Sequence, residues 1–159
     1  MRFVPAALLV LSFLPLAAHA DEECQVTAVF SGDQLTCQRA DGGDTTIHLR
    51  GVTAPELEQP FGQRSRAALV QLALGKSATL KHAEPLADGS LRAAVWVTPA
   101  ECPNCGHTLD IGRAQLSIGL ARWRQSDAQT PEEVGQYQFE EHEAKARRIN
   151  LWRKPEVNC

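Results

Sequence analysis

The amino-acid sequence has few aromatic residues and no excess of positive charge. Among 159 residues it holds one tyrosine, three tryptophans and five phenylalanines, and its formal net charge at pH 7 is -3. Proteins that coat nucleic acid neutralise many backbone phosphates with lysine and arginine. The composition excludes a strongly basic protein of that class, because this chain lacks the necessary surplus of cations.

Long apolar runs are absent after the first eighteen residues. The run from Val4 to Ala18 spans about fifteen residues, fewer than the ~20 that a membrane-spanning helix requires. A positive start precedes it, and an Ala18-His19-Ala20 site with three acidic residues follows, which is typical of a cleavable secretory signal. We expect a signal peptide over residues 1–20, a single exported domain over residues 21–159 in the periplasm or outside the cell, and no membrane span.

Cysteine occurs in an odd number. All five cysteines follow the expected cleavage site, and an exported chain resides where disulfides form and persist. One thiol, which we expect to be Cys159, is therefore left over or pairs outside the chain. The segment Cys102-Pro103-Asn104-Cys105 leaves three interpretations open: a loop disulfide, which we favour, a zinc site that includes His107, and a redox dithiol.

Hydrophobic periodicity and turn residues predict a small barrel. The predicted elements are strands over 25–30, 35–39, 45–52, 77–82 and 91–97, and helices over 62–74, 110–120 and 131–148. Thr130 to Glu133 forms a capping box with proline at the first helical position. Five strands with a helix after the third predict an α+β, mainly β fold, a five-stranded OB-type barrel with about three packed helices. The order of elements alone also allows other small α+β folds.

Five segments resemble, in order, the motifs of one nuclease family. Val29 to Leu35 resembles a V-x-D-G-D-T-L turn, and His48 to Glu56 resembles R-L-x-G-I-D-A-P-E. The others are Gln59 to Gly62 with the helix that follows, Ile118 to Trp123, and Glu143 to Trp152. The sequence thus resembles the staphylococcal-nuclease, or thermonuclease, family over nearly all of the expected mature chain. The resemblance implies an OB-type barrel and ancestry in calcium-dependent hydrolysis of DNA or RNA.

The resemblance also implies roles for individual residues. Asp33 matches a calcium ligand, and Glu56 matches the glutamate that activates or orients the attacking water. The second aspartate ligand is replaced by Thr53, and the first aspartate of the turn is replaced by Ser31. A hydroxyl is a poorer ligand than a carboxylate for a hard dication, so we expect calcium binding to be weak or lost.

Both arginines that hold the phosphate in the family are missing from their expected positions. His48 stands at the first position and, in our alignment, Ser90 stands at the second. Arg50 and Arg92 follow two residues later, and residues i and i+2 of a strand point to the same face. Arg50 and Arg92 are therefore candidate substitutes, and a protonated His48 is another candidate contact to phosphate. The alternative is that both arginines are ordinary surface residues.

The resemblance extends to a disulfide and to the expected partners. Exported relatives have a similar spacing around the first turn, which implies a bond between Cys24 and Cys37, provided that a bulge or bend brings them together. We expect a monomer that binds single-stranded DNA or RNA. The leading hypothesis is an exported nuclease-fold protein with weak or lost catalysis. The alternatives are an active exported endonuclease with a rearranged site and a non-catalytic module that binds nucleic acid or protein.

Overall fold

A computed structural model describes residues 20–153 of the chain. Strands predominate in the first part of this region, and two of the three α-helices follow in the second part. The elements are β1 (Glu22–Val29), β2 (Gln34–Arg39), β3 (Asp44–Leu49), β4 (Val52–Thr53), α1 (Gly62–Ala73), β5 (Ser77–Pro85), β6 (Leu91–Val97), β7 (Leu109–Asp110), α2 (Ile111–Ser117), β8 (Arg122–Trp123), α3 (Pro131–Ala146) and a 3-10 turn (Asn150–Trp152).

Five of these strands form a closed barrel. Strands β1, β2 and β3 form an antiparallel meander, β1 also pairs with β5, and β5 pairs with β6. Strands β3 and β6 then pair in parallel, with His48 opposite Arg92, and this pairing closes the barrel. The mixed barrel and its packed helices confirm the expected OB-type α+β fold.

The barrel interior is filled by apolar side chains from alternate strand positions and from the inner faces of α1 and α2. The largest of these side chains are Leu35, Ile47, Leu69, Leu80, Val95, Ile111 and Leu116, and each is essentially inaccessible to solvent. Burial of one such side chain contributes about 1.5–3 kcal/mol to folding. Helices α1 and α2 therefore belong to the same core as the barrel.

The third predicted strand is divided in two by a turn at Arg50 and Gly51. Gly51 has a φ of 77°, and a Cβ atom there would lie 2.3 Å from the Nε2 atom of Gln129. Glycine is suited to such a conformation, and the close approach leaves no room for a side chain. The chain leaves the barrel at this point, and Val52 and Thr53 pair with Trp123 and Arg122 as a separate two-stranded sheet.

Side chains cap two of the helices, as the sequence indicates. Asp110 accepts hydrogen bonds from the backbone N–H groups of Gly112 and Arg113 at the start of α2. Thr130 and Glu133 form the expected capping box at the start of α3. Both helices end earlier than expected, since the backbone adopts a left-handed conformation at Gly119 and Arg148.

The expected cysteine pair of the first hairpin is close in space. Cys37 lies opposite Val26, and a register shift between Val26 and Ala28 bends β1. Cys24 is on the same strand face as Val26, so its side chain reaches Cys37 diagonally. The two Cα atoms are 5.6 Å apart and the sulfur atoms are at bonding distance.

The two ends of the chain lie beyond the region that the structure covers. The expected signal segment, apart from Ala20, and Cys159 lie outside the described residues. Across residues 20–153 there is no helix with the length and apolar character needed to cross a bilayer.

Candidate active site

The turn between β1 and β2 brings Asp33 against the segment that follows β4. One carboxylate oxygen of Asp33 accepts a hydrogen bond from the Ser31 hydroxyl at 2.6 Å, and the other accepts from the Ala54 N–H at 2.9 Å. Gly32 makes this approach possible, because a Cβ atom there would lie 1.7 Å from the Ser65 hydroxyl oxygen. The structure thus joins the two segments that the sequence assigned to one metal site, those of Asp33 and Thr53.

Glu56 lies in an exposed turn that leads into α1. Its backbone is ordered by Gln59, whose side-chain oxygen accepts a hydrogen bond from the Glu56 N–H at 2.9 Å. The Glu56 carbonyl oxygen in turn accepts from the Gln59 N–H at 3.0 Å. Within residues 20–153 the Glu56 carboxylate forms no hydrogen bond or ion pair, so it is available to a water molecule or a ligand.

The donor set around Asp33 fits a calcium ion poorly. Each Asp33 oxygen already accepts one hydrogen bond, and the neighbouring position supplies the neutral hydroxyl of Thr53. In the described part of the chain, no group of three or more histidine, cysteine, aspartate or glutamate side chains is arranged to hold a metal. Calcium prefers several oxygen ligands with carboxylates among them, and this turn offers one carboxylate.

His48 and Ser90 line a polar cleft of about 340 Å³ beside the barrel. Asp88 lies in the same cleft, and one of its oxygens accepts hydrogen bonds from the Ser90 hydroxyl and the Ser90 N–H. These hydrogen bonds, the side-chain bond first, hold the pKa of Asp88 below its ordinary value. An ionised carboxylate is therefore bonded to Ser90, the residue at the position where the family resemblance implies an arginine.

Arg50 is turned away from this cleft and toward α3. Its side chain is 10% exposed, its Nε–H donates to the Ala128 carbonyl oxygen, and its Nη1 atom lies 3.2 Å from Glu133 Oε1. His82 Nε2 approaches the same glutamate oxygen at 3.7 Å. The Arg50 guanidinium group is therefore paired within the protein, at the start of α3.

Arg92 is held by the loop between β8 and α3. Its Nε atom lies 3.5 Å from Asp127 Oδ1, and Arg124 Nε approaches the same oxygen at 3.7 Å. The Asp127 side chain is 2% exposed, and its other oxygen accepts a hydrogen bond from the Gly51 N–H at 2.8 Å. Arg92 lies in β6, whereas Ser90 precedes that strand, and the Arg92 guanidinium group is paired within the protein.

A second cavity was not anticipated from the sequence. It encloses about 490 Å³ between the segment after β4, the entry to α1 and the 3-10 turn. Arg122 lies directly opposite Thr53 in the β4–β8 pairing, and its guanidinium group stacks over the Trp152 ring with 4.5 Å to the centroid. The only sequence signal for it is the Arg122-Trp123-Arg124 run, which places two cations beside an aromatic residue.

The Cys102–Cys105 loop lines neither of these two cavities. The two Cα atoms are 5.4 Å apart and the sulfur atoms are at bonding distance. His107 is directed at the barrel, where its Nδ1 atom lies 2.6 Å from the Thr79 hydroxyl and 3.4 Å from Glu23 Oε2. This arrangement favours the loop disulfide over the zinc interpretation.

Comparison with known proteins matches residues 46–154 to the family described as staphylococcal nuclease homologue. A micrococcal nuclease of Shigella flexneri is 27% identical over 98% of this chain and 86% of its own length, and protein ParB of Escherichia coli is 25% identical over 94% and 83%. An uncharacterized endonuclease of Haemophilus influenzae is 32% identical over 46% of this chain, a match that spans 41% of that relative. The family match includes the Thr53–Glu56 segment, the β3–β6 closure and the helices described above, and the chain therefore belongs to the staphylococcal nuclease homologue family.

Proposed function

We propose that the protein is an exported nucleic-acid phosphodiesterase of low activity, with weak calcium binding. The observation that carries the proposal is the Asp88–Ser90 pair, in which an ionised carboxylate is bonded to the serine that stands at the expected position of a phosphate-binding arginine. Family membership supports the reaction class, and the cleft supports the low rate. The expected substrate is single-stranded DNA or RNA, and the expected working form is a monomer.

The chemistry of phosphodiester attack explains why the rate is expected to be low. Negative charge gathers on the phosphoryl oxygens in the transition state, and positioned cationic donors normally offset it. Glu56 retains an available carboxylate that orients or deprotonates water. The cleft lined by His48 and Ser90 also holds an ionised Asp88, which repels a phosphate group. Loss of one such donor costs about 10²–10³ in rate in comparable sites.

The donor chemistry at Asp33 supports weak calcium binding. One carboxylate and one hydroxyl replace the pair of carboxylates that the resemblance implies. The hydrogen bonds from Ser31 and Ala54 stabilise the turn without a metal. The native fold of this turn is therefore expected to survive removal of divalent cations.

A cleavage assay tests the proposal. Labelled single-stranded DNA is incubated with calcium and the purified protein, and the initial rate is compared between wild type and Glu56→Gln. We expect slow cleavage that falls further in Glu56→Gln and rises when His48→Arg, Ser90→Arg and Thr53→Asp are combined. Rapid wild-type cleavage that is unaffected by Glu56→Gln would overturn the proposal.

Export has its own measurement. The intact mass of the protein recovered from the periplasm or medium is expected to begin at Asp21, after the signal residues. A recovered mass that retains residues 1–20 would contradict this part of the proposal.

A second candidate is an active endonuclease with a rearranged site. The pairing of His48 with Arg92 across β3 and β6 favours it, since it places a guanidinium on the strand next to the histidine. The Nε atom of Arg92 is also buried without a geometrically satisfactory hydrogen bond. For this candidate, the loop between β8 and α3 must release Arg92 when substrate binds. A non-catalytic binding module is the expected conclusion if neither the wild type nor the restored variant cleaves.

A further inference from the structure

The cavity beside Arg122 has the dimensions of a small-ligand site. Its volume of about 490 Å³ falls within the ~300–1,000 Å³ typical of such sites. Most of its wall is apolar, and a single cation lies at its edge. The residues that line it include Thr53, Pro55, Gln59, Phe61, Arg122 and Leu151.

Phe61 is held in a strained conformation at the wall of this cavity. Its φ of 68° and ψ of -2° lie in the left-handed region, which is unusual for a bulky residue that is not glycine. Such strain persists only where the surroundings hold it, and it is concentrated at ligand sites. The helix α1 begins immediately afterwards, and the Ser65 N–H donates to the Phe61 carbonyl oxygen at 2.8 Å.

Arg122 has positive charge available for an anion. Arg122 and Lys145 both stack on the Trp152 ring at 4.5 Å. Lys145 is paired with Glu141 at 2.7 Å, whereas Arg122 has no ion-pair partner among residues 20–153. An arginine fixed on an aromatic ring binds a phosphate group through its free donor edge.

The cavity adjoins the candidate active site through a short stretch of chain. Thr53, Ala54 and Pro55 line it, the Ala54 N–H donates to Asp33, and Glu56 is the next residue. A single-stranded nucleic acid with one phosphate near Glu56 therefore has a neighbouring nucleotide within reach of the cavity. Glu58 is the nearby exposed acid in this turn, and it limits the affinity expected from charge alone.

We infer that this cavity binds the base of one nucleotide of a single-stranded nucleic acid, with Phe61 against the base and Arg122 on the adjoining phosphate. The inference rests on the proposed function, because it assigns a substrate subsite to the same reaction. An apolar slot with one cation at its mouth matches a planar base that is followed by a single negative charge. The subsite explains how a protein of net negative charge retains a short strand without a broad basic surface.

Binding of short oligothymidylates tests the inference. Glu56→Gln protein, which keeps the strand intact, is titrated into fluorescein-labelled pentanucleotides, and fluorescence anisotropy gives the dissociation constant. Five further pentanucleotides each carry one abasic position. Arg122→Ala and Phe61→Gly are made in the same background, and Arg39→Ala is the matched control, because Arg39 pairs with Glu22 and does not line the cavity.

Glycine is the chosen replacement for Phe61 because it removes the ring and also favours the left-handed backbone, so the fold is preserved. We expect Arg122→Ala and Phe61→Gly each to weaken binding about tenfold, while Arg39→Ala leaves it within about twofold. Arg122→Ala is also expected to make the slope of log K against log salt concentration less steep by about 0.7, the value for one phosphate contact on a single strand. One abasic position is expected to weaken binding about tenfold in the parent protein and to have no effect in Phe61→Gly.

The outcomes separate this inference from the proposed function. Oligonucleotide binding that is unchanged by Arg122→Ala and Phe61→Gly would overturn the subsite and leave the phosphodiesterase proposal intact. Cleavage by the wild type without measurable binding by the parent at low salt would also overturn the subsite. Absence of both cleavage and binding would overturn both proposals.

Discussion

Replacement of Asp127 with alanine tests whether the loop between β8 and α3 is fixed to the barrel by charge. The Asp127 carboxylate is 2% exposed, accepts the Gly51 N–H and lies between the guanidinium groups of Arg92 and Arg124. Its removal leaves a buried N–H without an acceptor and leaves Arg92 without its nearest counter-charge. Loss of one partner of a buried ion pair costs about 3–5 kcal/mol.

The lower end of that range applies here. The Arg92 side chain is 23% exposed, so solvent screens part of its charge. We expect Asp127→Ala to lower the free energy of unfolding by about 3 kcal/mol and the melting temperature by roughly 10 °C. Urea unfolding followed by tryptophan fluorescence measures the loss, with an unchanged m-value if only the native state is affected.

Two control variants separate charge from backbone hydrogen bonding. Asp127→Asn retains an acceptor for the Gly51 N–H but lacks the charge, so an intermediate loss is expected. Asp41→Ala removes an exposed turn carboxylate that accepts the Gly43 N–H at 2.9 Å, and it is expected to cost about 0.5 kcal/mol. A loss for Asp127→Ala no larger than that for Asp41→Ala would refute the reasoning.

Three further outcomes are expected. Tyr137→Phe removes the hydroxyl that donates to Asp110 at 2.7 Å. Burial raises the pKa of Asp110, and this hydrogen bond opposes the rise because it stabilises the ionised carboxylate. Urea unfolding is therefore expected to show a loss of about 1–2 kcal/mol in the free energy of unfolding, and the loss should grow as pH increases through that pKa. An equal loss at all pH values would contradict this expectation. Calorimetric titration is expected to give a calcium dissociation constant much weaker than the ~10⁻⁷–10⁻⁵ M of sensor sites, tightened by Thr53→Asp, and tight wild-type binding would indicate a missed ligand. If Arg50 and Arg92 bind phosphate, alanine at either position should reduce the cleavage rate roughly 10²-fold, about 3 kcal/mol of barrier; if they serve only the fold, their folded alanine variants should cleave at the wild-type rate.

Local sequence patterns predicted the main strands and helices, and the family resemblance selected the OB-type barrel from the small α+β folds that their order allows. Alternation over β1, β2 and β3 and the capping box at Thr130 are set by neighbouring residues, and the structure contains them. The separate sheet of the two-residue strands β4 and β8 was not predicted, because strands of that length are too short for periodicity to register. Their pairing depends on the turn at Gly51, and the shape of that turn is fixed by contact with Gln129, far along the chain.

The site was predictable where a motif fixes a local position and unpredictable where pairing is long-range. The motifs place Asp33 near the Thr53 segment, and the Ala54 N–H to Asp33 hydrogen bond joins them. The partner of Arg50 is Glu133, 83 residues away. In the sequence Glu133 looks like any acidic residue in the first turn of a helix, so nothing marks it as the partner of Arg50. Strand alternation gives the face on which an arginine emerges, but it does not reveal which acid covers that face.

The distribution of charge links the stability of this protein to its expected activity. Arg50 and Arg92 lie two residues beyond the positions where the family resemblance requires arginine, and both are paired with acids that fix α3 and its preceding loop. His48 and Ser90 line a polar cleft, and within residues 20–153 neither side chain is paired with an acid except through the Ser90–Asp88 hydrogen bond. Arginine at position 48 should therefore raise the cleavage rate with little loss of stability. Arginine at position 90 replaces a buried serine that bonds Asp88, so its gain in rate should come with some loss of stability. Removal of Asp127 to free Arg92 should cost stability first. A restored variant that cleaves no faster and unfolds much more easily would show that the two properties cannot be separated in this fold.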